Sequence, residues 1–466
     1  MTARLIEMTR IRALVLLGAL SLMLTACLSS DLPSSGPAHG RVGATGAVYM
    51  TYGLQLNPSF IKGVETPANV KTSALKKFYD NQDLYTTFYR NGRWTRAAMQ
   101  TLGTLKNAAS EGLSPEAYLP TSLLLSRTLP SNNVQEVDVQ LTAGLLAYAS
   151  DVHQGVHNPR KKPVAQELLR EGLEWNDFGR FLAGLPPQGR SYQSLRRVLN
   201  GSSGSLAVER KKQIAANMER LRWDHEEVGA ARDLRVNIAS QTMEIYERGR
   251  LVRDMNVVVG RKSRKTPVLT DKVVSLKFSP DWTAPRSIVQ EDYLNRAQSD
   301  AAYFDQKGWQ VYVDGERTTS AGLDWETVDL DRVTVRQPSG ASNALGGVRF
   351  SLTNSQAIYL HDTNAHNLFQ KVQRLYSSGC VRVEDAAWLA HWIMRSEAES
   401  MSMDEVRRNM DLSSPKTKRL ANHVPVNIAY MTVWVDGTNK LHWEEDVYGH
   451  DAKLLKKMRF PTAWGG

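Results

Sequence analysis

Cys380 lies in the run Tyr376-Ser377-Ser378-Gly379-Cys380-Val381-Arg382, downstream of Leu360-His361-Asp362-Thr363. Histidine, serine-rich turn, glycine and cysteine, in that order, suit thiol acyl transfer. That chemistry needs a thiolate, a base to take its proton, a group to hold the base, and donors for the oxyanion. His361 is the natural base, because imidazole titrates near neutrality. Asp362, by side chain or carbonyl, is placed to orient it. Gly379 permits a tight turn before the nucleophile. The amides of Gly379 and Cys380, with that of Ser378, then suit an oxyanion cradle. Arg382 suits a substrate carboxylate. Each residue also has a plainer reading: a packed cysteine, a hydrogen-bonded histidine at a strand end, an arginine that braces the fold. His366 with His361 and Cys380 shows no metal-ligand spacing, so no metal is expected.

The elements between these residues must fold the chain back on itself. The separation is 380 − 361 = 19 positions, roughly 28 Å along a straight helix, whereas proton transfer needs about 3 Å. A strand through Ala357 to Leu360 ends at His361, Thr363-Asn364 can turn, and Leu368, Phe369 and Val372 suit a short helix. Ser377-Ser378-Gly379 then returns the chain. Upstream, Leu234, Val236 and Ile238, then Met243 and Ile245, then Met255, Val257 and Val259 alternate as strands, with Arg248-Gly249 as a turn. Further strands are predicted over Val273–Phe278, Val333–Arg336, Val348–Leu352, Ala357–Leu360 and Val424–Val435. Residues 288–331 are mixed and polar and read as an inserted subdomain. The first half reads as helical: Ala98, Leu102, Leu105 and Ala109 share helical spacing, as do Val137, Leu141, Leu145 and Tyr148. Ser114-Pro115-Glu116 looks like another helix start. Further helices are predicted over Val164–Glu171, Trp175–Ala183, Tyr192–Leu199 and Ala207–Trp223.

The 466 residues allow two or three domains, and 42% hydrophobic content is ordinary for a globular protein. The other cysteine, Cys27, closes an export signal. Arg10 and Arg12 precede the apolar stretch Ala13–Leu24, and small residues lead into the cysteine at Leu24-Thr25-Ala26-Cys27. The ending resembles a bacterial lipobox, which implies that Cys27 is lipidated; Leu28 after it favours the outer membrane of a Gram-negative cell. A tether rich in Ser, Gly, Pro and Ala follows over 28–48. The chain is thus expected to be periplasmic and lipid-anchored, with no later membrane span. The formal charge of +10 fits anionic lipid or cell wall better than nucleic acid once export is granted. A lipidated Cys27 leaves Cys380 as a lone thiol in an oxidising compartment.

Ile358-Tyr359-Leu360-His361-Asp362-Thr363 followed by Arg374-Leu375-Tyr376-Ser377-Ser378-Gly379-Cys380-Val381-Arg382-Val383 resembles the active-site signature of the L,D-transpeptidases, the YkuD catalytic domain. The likeness is greatest to the large periplasmic, YcbB-like branch. Asn217–Trp223, Val257–Arg261, Lys265–Val268, Trp282–Ile288 and Asn343–Gly346 extend it. Trp94–Ala97 and Glu111–Leu113 resemble parts of the branch's N-terminal scaffold. Beyond the signal read over 1–27, the resemblance implies a multidomain α+β protein: a mainly helical scaffold over 49–205, a helical lead-in over 206–230, and a mostly β catalytic domain over 231–460 with 288–331 as its cap. It implies Cys380 as nucleophile, His361 as base, and Tyr359, Trp282 and Arg382 as substrate-binding residues. The implied reaction replaces the terminal D-alanine of a peptidoglycan tetrapeptide stem by an amine of a second stem, through a thioester, giving a 3→3 cross-link. No cofactor is implied. A hydrolytic carboxypeptidase or endopeptidase would use the same site, and a wall-binding lipoprotein with a degenerate site is the non-enzyme alternative. Many such domains carry histidine where this chain has Ser378. The stretch from Tyr192–Leu199 to Ala207 leaves little room for the peptidoglycan-binding module usual in the branch.

Overall fold

The structure, a computed structural model, describes residues 53–81, 83–159, 161, 172–173, 177–201, 206–223 and 230–465. The expected signal, Cys27, the tether and the helix expected over Val164–Glu171 lie outside the described residues. Two compact units form, one of residues up to 225 together with 457–466, the other of 226–456.

The first unit is built on the helix Val134–Gln154, buried on nearly every face. Around it pack the helices Thr72–Asp80, Arg96–Lys106 and Phe178–Gly184, while Arg190–Gly201 packs against Val208–Trp223. Thr95 caps Arg96–Lys106 by accepting from the Ala98 amide. The helix expected from Ser114 is only a short 3-10 turn, Pro115–Ala117. A small antiparallel sheet, β1 (Gly53–Gln55), β2 (Tyr85–Arg90) and β3 (Arg93–Trp94), was not legible in the periodicity. It is tied to the long helix by the buried Asp138 carboxylate, which accepts from the amides of Thr87 and Phe88 and from the Tyr79 hydroxyl. The helix Val208–Trp223, expected as a separate lead-in, belongs to this unit. Its Arg222 is fully buried, bonded to Glu219 at 3.1 Å and to the Tyr192 hydroxyl at 2.8 Å.

The second unit is a sheet whose pairings close on themselves. Its strands are β4 (Arg232–Asn237), β5 (Thr242–Glu247), β6 (Arg250–Gly260), β7 (Leu269–Phe278), β12 (Val348–Ser351), β13 (Leu360–His361), β14 (Leu375–Ser377), β15 (Val381–Val383) and β16 (Lys416–Ala429). Going round, β6 pairs β15, then β13, β12, β7, β16, β4 and β5, and β5 pairs β6 again; β14 extends the end of β6. The alternating apolar residues point inward: Leu234, Val236, Met243, Ile245, Val257, Val259, Phe350, Leu360 and Val381 are all in one core. Burying each contributes about 1.5–3 kcal/mol. The Arg248-Gly249 turn is as expected, with φ of 50° and 75°. The helix Ala386–Met394, capped by Asp385, covers this core.

Between β7 and β12 lies the inserted subdomain. It has its own sheet of β8 (Trp282–Thr283), β9 (Gln310–Val313), β10 (Glu316–Thr318) and β11 (Val333–Gln337), in the order β10-β9-β11-β8. Its separate core runs from Trp282 to Leu345, wider than the expected 288–331. The strand expected over Val333–Arg336 therefore belongs to the subdomain and not to the main sheet.

Candidate active site

The excursion between His361 and Cys380 ends in parallel pairing of β13 with β15: Leu360 opposes Val381 and His361 opposes Arg382. The Val381 amide donates to the Tyr359 carbonyl at 3.2 Å, which carries the ladder back toward Cys380. Side chains alternate across a sheet. Leu360 and Val381 are fully buried in the core, so Tyr359, His361, Cys380 and Arg382 occupy the other face. His361 and Cys380 are thereby diagonal neighbours, roughly 7–8 Å apart at the backbone and within side-chain reach. On the far side of β13, β12 places Arg349 opposite His361. The Arg349 guanidinium lies over the Tyr359 ring at 5.3 Å, and that ring stands edge-on to His361 at 5.6 Å.

The nucleophile turn is held from below. Gly379 has φ of +120°, a conformation essentially restricted to glycine. Its carbonyl accepts from Thr266 Oγ1 at 2.8 Å, and the same oxygen accepts from the Gly260 amide at 2.8 Å. The Tyr448 hydroxyl donates to the Gly260 carbonyl. Ser377 Oγ donates to the Cys380 carbonyl and accepts from the Gly379 amide at 3.2 Å. The Gly379 amide, expected in the oxyanion cradle, is therefore engaged within the turn. Among the described residues, the amides of Ser378 and Cys380 have no protein acceptor. The thiol of Cys380 points to the Ala357 carbonyl at 3.6 Å.

Burial favours the neutral forms of both His361 and Cys380. Burial, then the Arg382 charge, outweighs the Asp362 backbone carbonyl and pushes the His361 imidazole down to about 3; Arg349 adds to the depression. Among the described residues its buried Nδ1 has no hydrogen-bond partner, a rare state that a proton-relay role would explain. Burial pushes the Cys380 thiol up, against the opposing effects of Tyr359, Arg349 and Arg382. The Asp362 carboxylate accepts from the Gly347 amide at 2.8 Å and lies 3.9 Å from His366, so only its backbone carbonyl acts on His361. Trp282 is 8% exposed and packs edge-on to Trp309 in the subdomain core, where its nitrogen hydrogen-bonds Tyr359.

Four site residues escaped the sequence reading. Thr266 and Tyr448 act through backbone groups and carry no motif of their own. Tyr293, on the helical turn Val289–Tyr293 of the subdomain, faces the charge of Arg382. Arg349 sits in a strand correctly expected from Val348 and Phe350; reading the opposite face of that strand would have found it.

Residues 231–428 match the YkuD family, the L,D-transpeptidase catalytic domain, and residues 73–199 match the Scaffold domain family. A Haemophilus influenzae protein provisionally named an L,D-transpeptidase is 30% identical over 371 residues, which is 77% of this chain and 73% of that one. The chain belongs to the L,D-transpeptidase family. Among solved structures, an L,D-transpeptidase from Mycobacterium smegmatis is similar at 14% identity and a TM-score of 0.21, over 43% of this chain and 59% of that one. L,D-transpeptidase 3 from Mycobacterium tuberculosis is similar at 13% identity and a TM-score of 0.21, over 43% and 61%. Likeness at that level carries no structural argument, and family membership rests on the sequence relationships. Membership implies a transpeptidase that modifies peptidoglycan.

Proposed function

We propose that this chain forms 3→3 peptidoglycan cross-links through a thioester on Cys380. The carrying observation is the β13–β15 register, which sets an imidazole with an unpartnered Nδ1 on the same face as the thiol. His361 takes the thiol proton as sulfur attacks the carbonyl of the third residue, diaminopimelate, of a donor tetrapeptide. The oxyanion that forms is stabilised by the Ser378 and Cys380 amides. Collapse breaks the bond to D-alanine, whose amine leaves with the proton held by His361. The side-chain amine of a second stem then attacks the thioester, gives a proton to His361, and releases the thiol as that proton returns. The subdomain carrying Trp282 and Tyr293 covers the donor side and limits entry of water. Export and lipidation at Cys27 place the enzyme at the outer membrane, where tethering concentrates it on the wall.

Incubation of the protein with purified tetrapeptide muropeptides tests this, read by mass spectrometry. The expected products are a Cys380 acyl adduct, free D-alanine and 3→3 dimers. Tripeptide without dimers would mark a hydrolase at the same site. Cys380→Ala should abolish adduct and dimer while leaving the protein folded; full activity in that variant would refute the mechanism. Metabolic labelling with a fatty acid, lost in Cys27→Ser, tests the anchor.

A further inference from the structure

Two arginines flank the base, yet neither has a carboxylate. Among the described residues, Arg382 has a single hydrogen bond, to Thr363 Oγ1 at 3.4 Å, and Arg349 a single one, to Ser351 Oγ at 3.4 Å. The Nε atoms of both are buried with no partner. Both side chains are partly buried; leaving an enclosed charged donor without a partner is costly, and a planar fork with free donors matches a carboxylate. The two side chains do not duplicate one another. Arg382 leans toward Thr363 and the field of Tyr293. Arg349 leans the other way along the sheet, over the Tyr359 ring beside Cys380.

We propose that Arg349 is a substrate-binding residue that receives a carboxylate of the donor peptide next to the Cys380 thiol. The inference rests on the transpeptidase reading of the site, because the donor supplies the anion. Of the donor's three free carboxylates, two belong to the residues joined by the bond that breaks, the C-terminal one and that of the third residue; the D-glutamyl α-carboxylate lies one residue further off. Charge gives the contact a second consequence. The charged and titratable groups facing His361 are Arg349 from β12, Tyr359 just before β13, Cys380 just before β15 and Arg382 within it, with Tyr293 facing Arg382 from the subdomain. The two fixed charges in that set are both positive. A bound carboxylate offsets one of them, so the imidazole accepts the thiol proton more readily when donor is present than when it is absent. Substrate thus helps assemble the base.

The test uses full-length protein and a synthetic L-alanyl-γ-D-glutamyl-meso-diaminopimelyl-D-alanine donor, plus two versions with one or the other carboxylate amidated. Binding is measured calorimetrically on a Cys380→Ala background, and acylation on wild-type Cys380. Arg349→Gln should weaken binding of the native donor about 30-fold, as for loss of a charge-assisted contact, and Arg349→Lys should restore part of it. One amidated donor should bind the Arg349-intact protein as weakly as native donor binds Arg349→Gln, with little further loss on combining the two; which donor shows this identifies the carboxylate. That amidated donor should also place the acid limb of the Arg349-intact protein's acylation pH profile at lower pH than native donor does, because no carboxylate then offsets the positive charge beside the imidazole. An equal loss from Arg349→Gln on all three donors, no loss at all, or no binding of native donor by the Arg349-intact protein would each overturn the inference. Arg349-dependent binding with no Cys380 adduct would leave the receptor standing and refute the transpeptidase reading instead.

Discussion

Gly379→Ala isolates the backbone's contribution to the nucleophile. At φ of +120° an L-residue is strained by about 1–3 kcal/mol. Space is not the obstacle: an added Cβ would meet Ile358 Cδ1 at 3.5 Å, an ordinary contact. The turn can hold its shape and absorb the strain, or relax by giving up its ties. Relaxation sacrifices the Thr266 hydroxyl bond to the Gly379 carbonyl and the Gly379 amide bond to Ser377. Those bonds contribute about 1 kcal/mol each, so the two routes are close in energy and the turn should partly shift. A displacement near 1 Å at a reacting atom costs about 100-fold in rate. The strain alone should lower the melting temperature by only about 2–10 °C for a unit of this size. We expect Gly379→Ala to fold, to melt slightly lower, and to acylate at least tenfold more slowly, read by adduct mass against time. A stable variant that acylates at the wild-type rate would show that the turn's conformation does not set the nucleophile's position.

Acid should act on the catalytic unit through His361. The folded imidazole is pushed down to about 3 from an unfolded value near 6.5, so between those limits the unfolded chain binds the extra proton and stability falls as pH falls. His361→Gln should flatten that part of the stability–pH curve, measured by denaturant unfolding from pH 3 to 7; an unchanged slope would refute the neutral resting state. In the first unit, Arg222→Ala should strand the buried Glu219 beside it and cost about 3–5 kcal/mol. Thermal unfolding would detect this, and a shift within error would mean that the unit relaxes around the loss.

Much of this was legible because both periods were strong. The strands through Leu234, Met243, Met255, Val273 and Phe350 alternate cleanly, and the histidine and cysteine are flanked by their own strands and turn. The small sheet of the first unit was not, because β1 and β3 are too short to show a period. The Gly379 amide looked free because glycine's conformational freedom is visible in sequence while the hydroxyl of Ser377 two residues earlier is not read as its acceptor. The burial of Trp282 was not legible, because it depends on long-range packing against Trp309. Thr266 acts across 113 positions of sequence, a distance no local pattern spans.

Core packing also enforces the precision of the site. The same three strands carry Phe350, Leu360 and Val381 on the inner face and Arg349, His361 and Arg382 on the outer. A one-residue slip would exchange the faces. It would expose three apolar side chains, at about 1.5–3 kcal/mol each, and bury two unpaired guanidinium groups at several kcal/mol each. That sum is comparable to the whole stability of a domain, about 5–15 kcal/mol. The apolar row therefore has no competing register, and the base stays diagonal to the thiol without any direct bond between them. It also explains how the unsatisfied arginines and the strained Gly379 persist. Their cost is carried by a register that the rest of the sheet will not surrender, which leaves these polar groups free to meet a charged substrate.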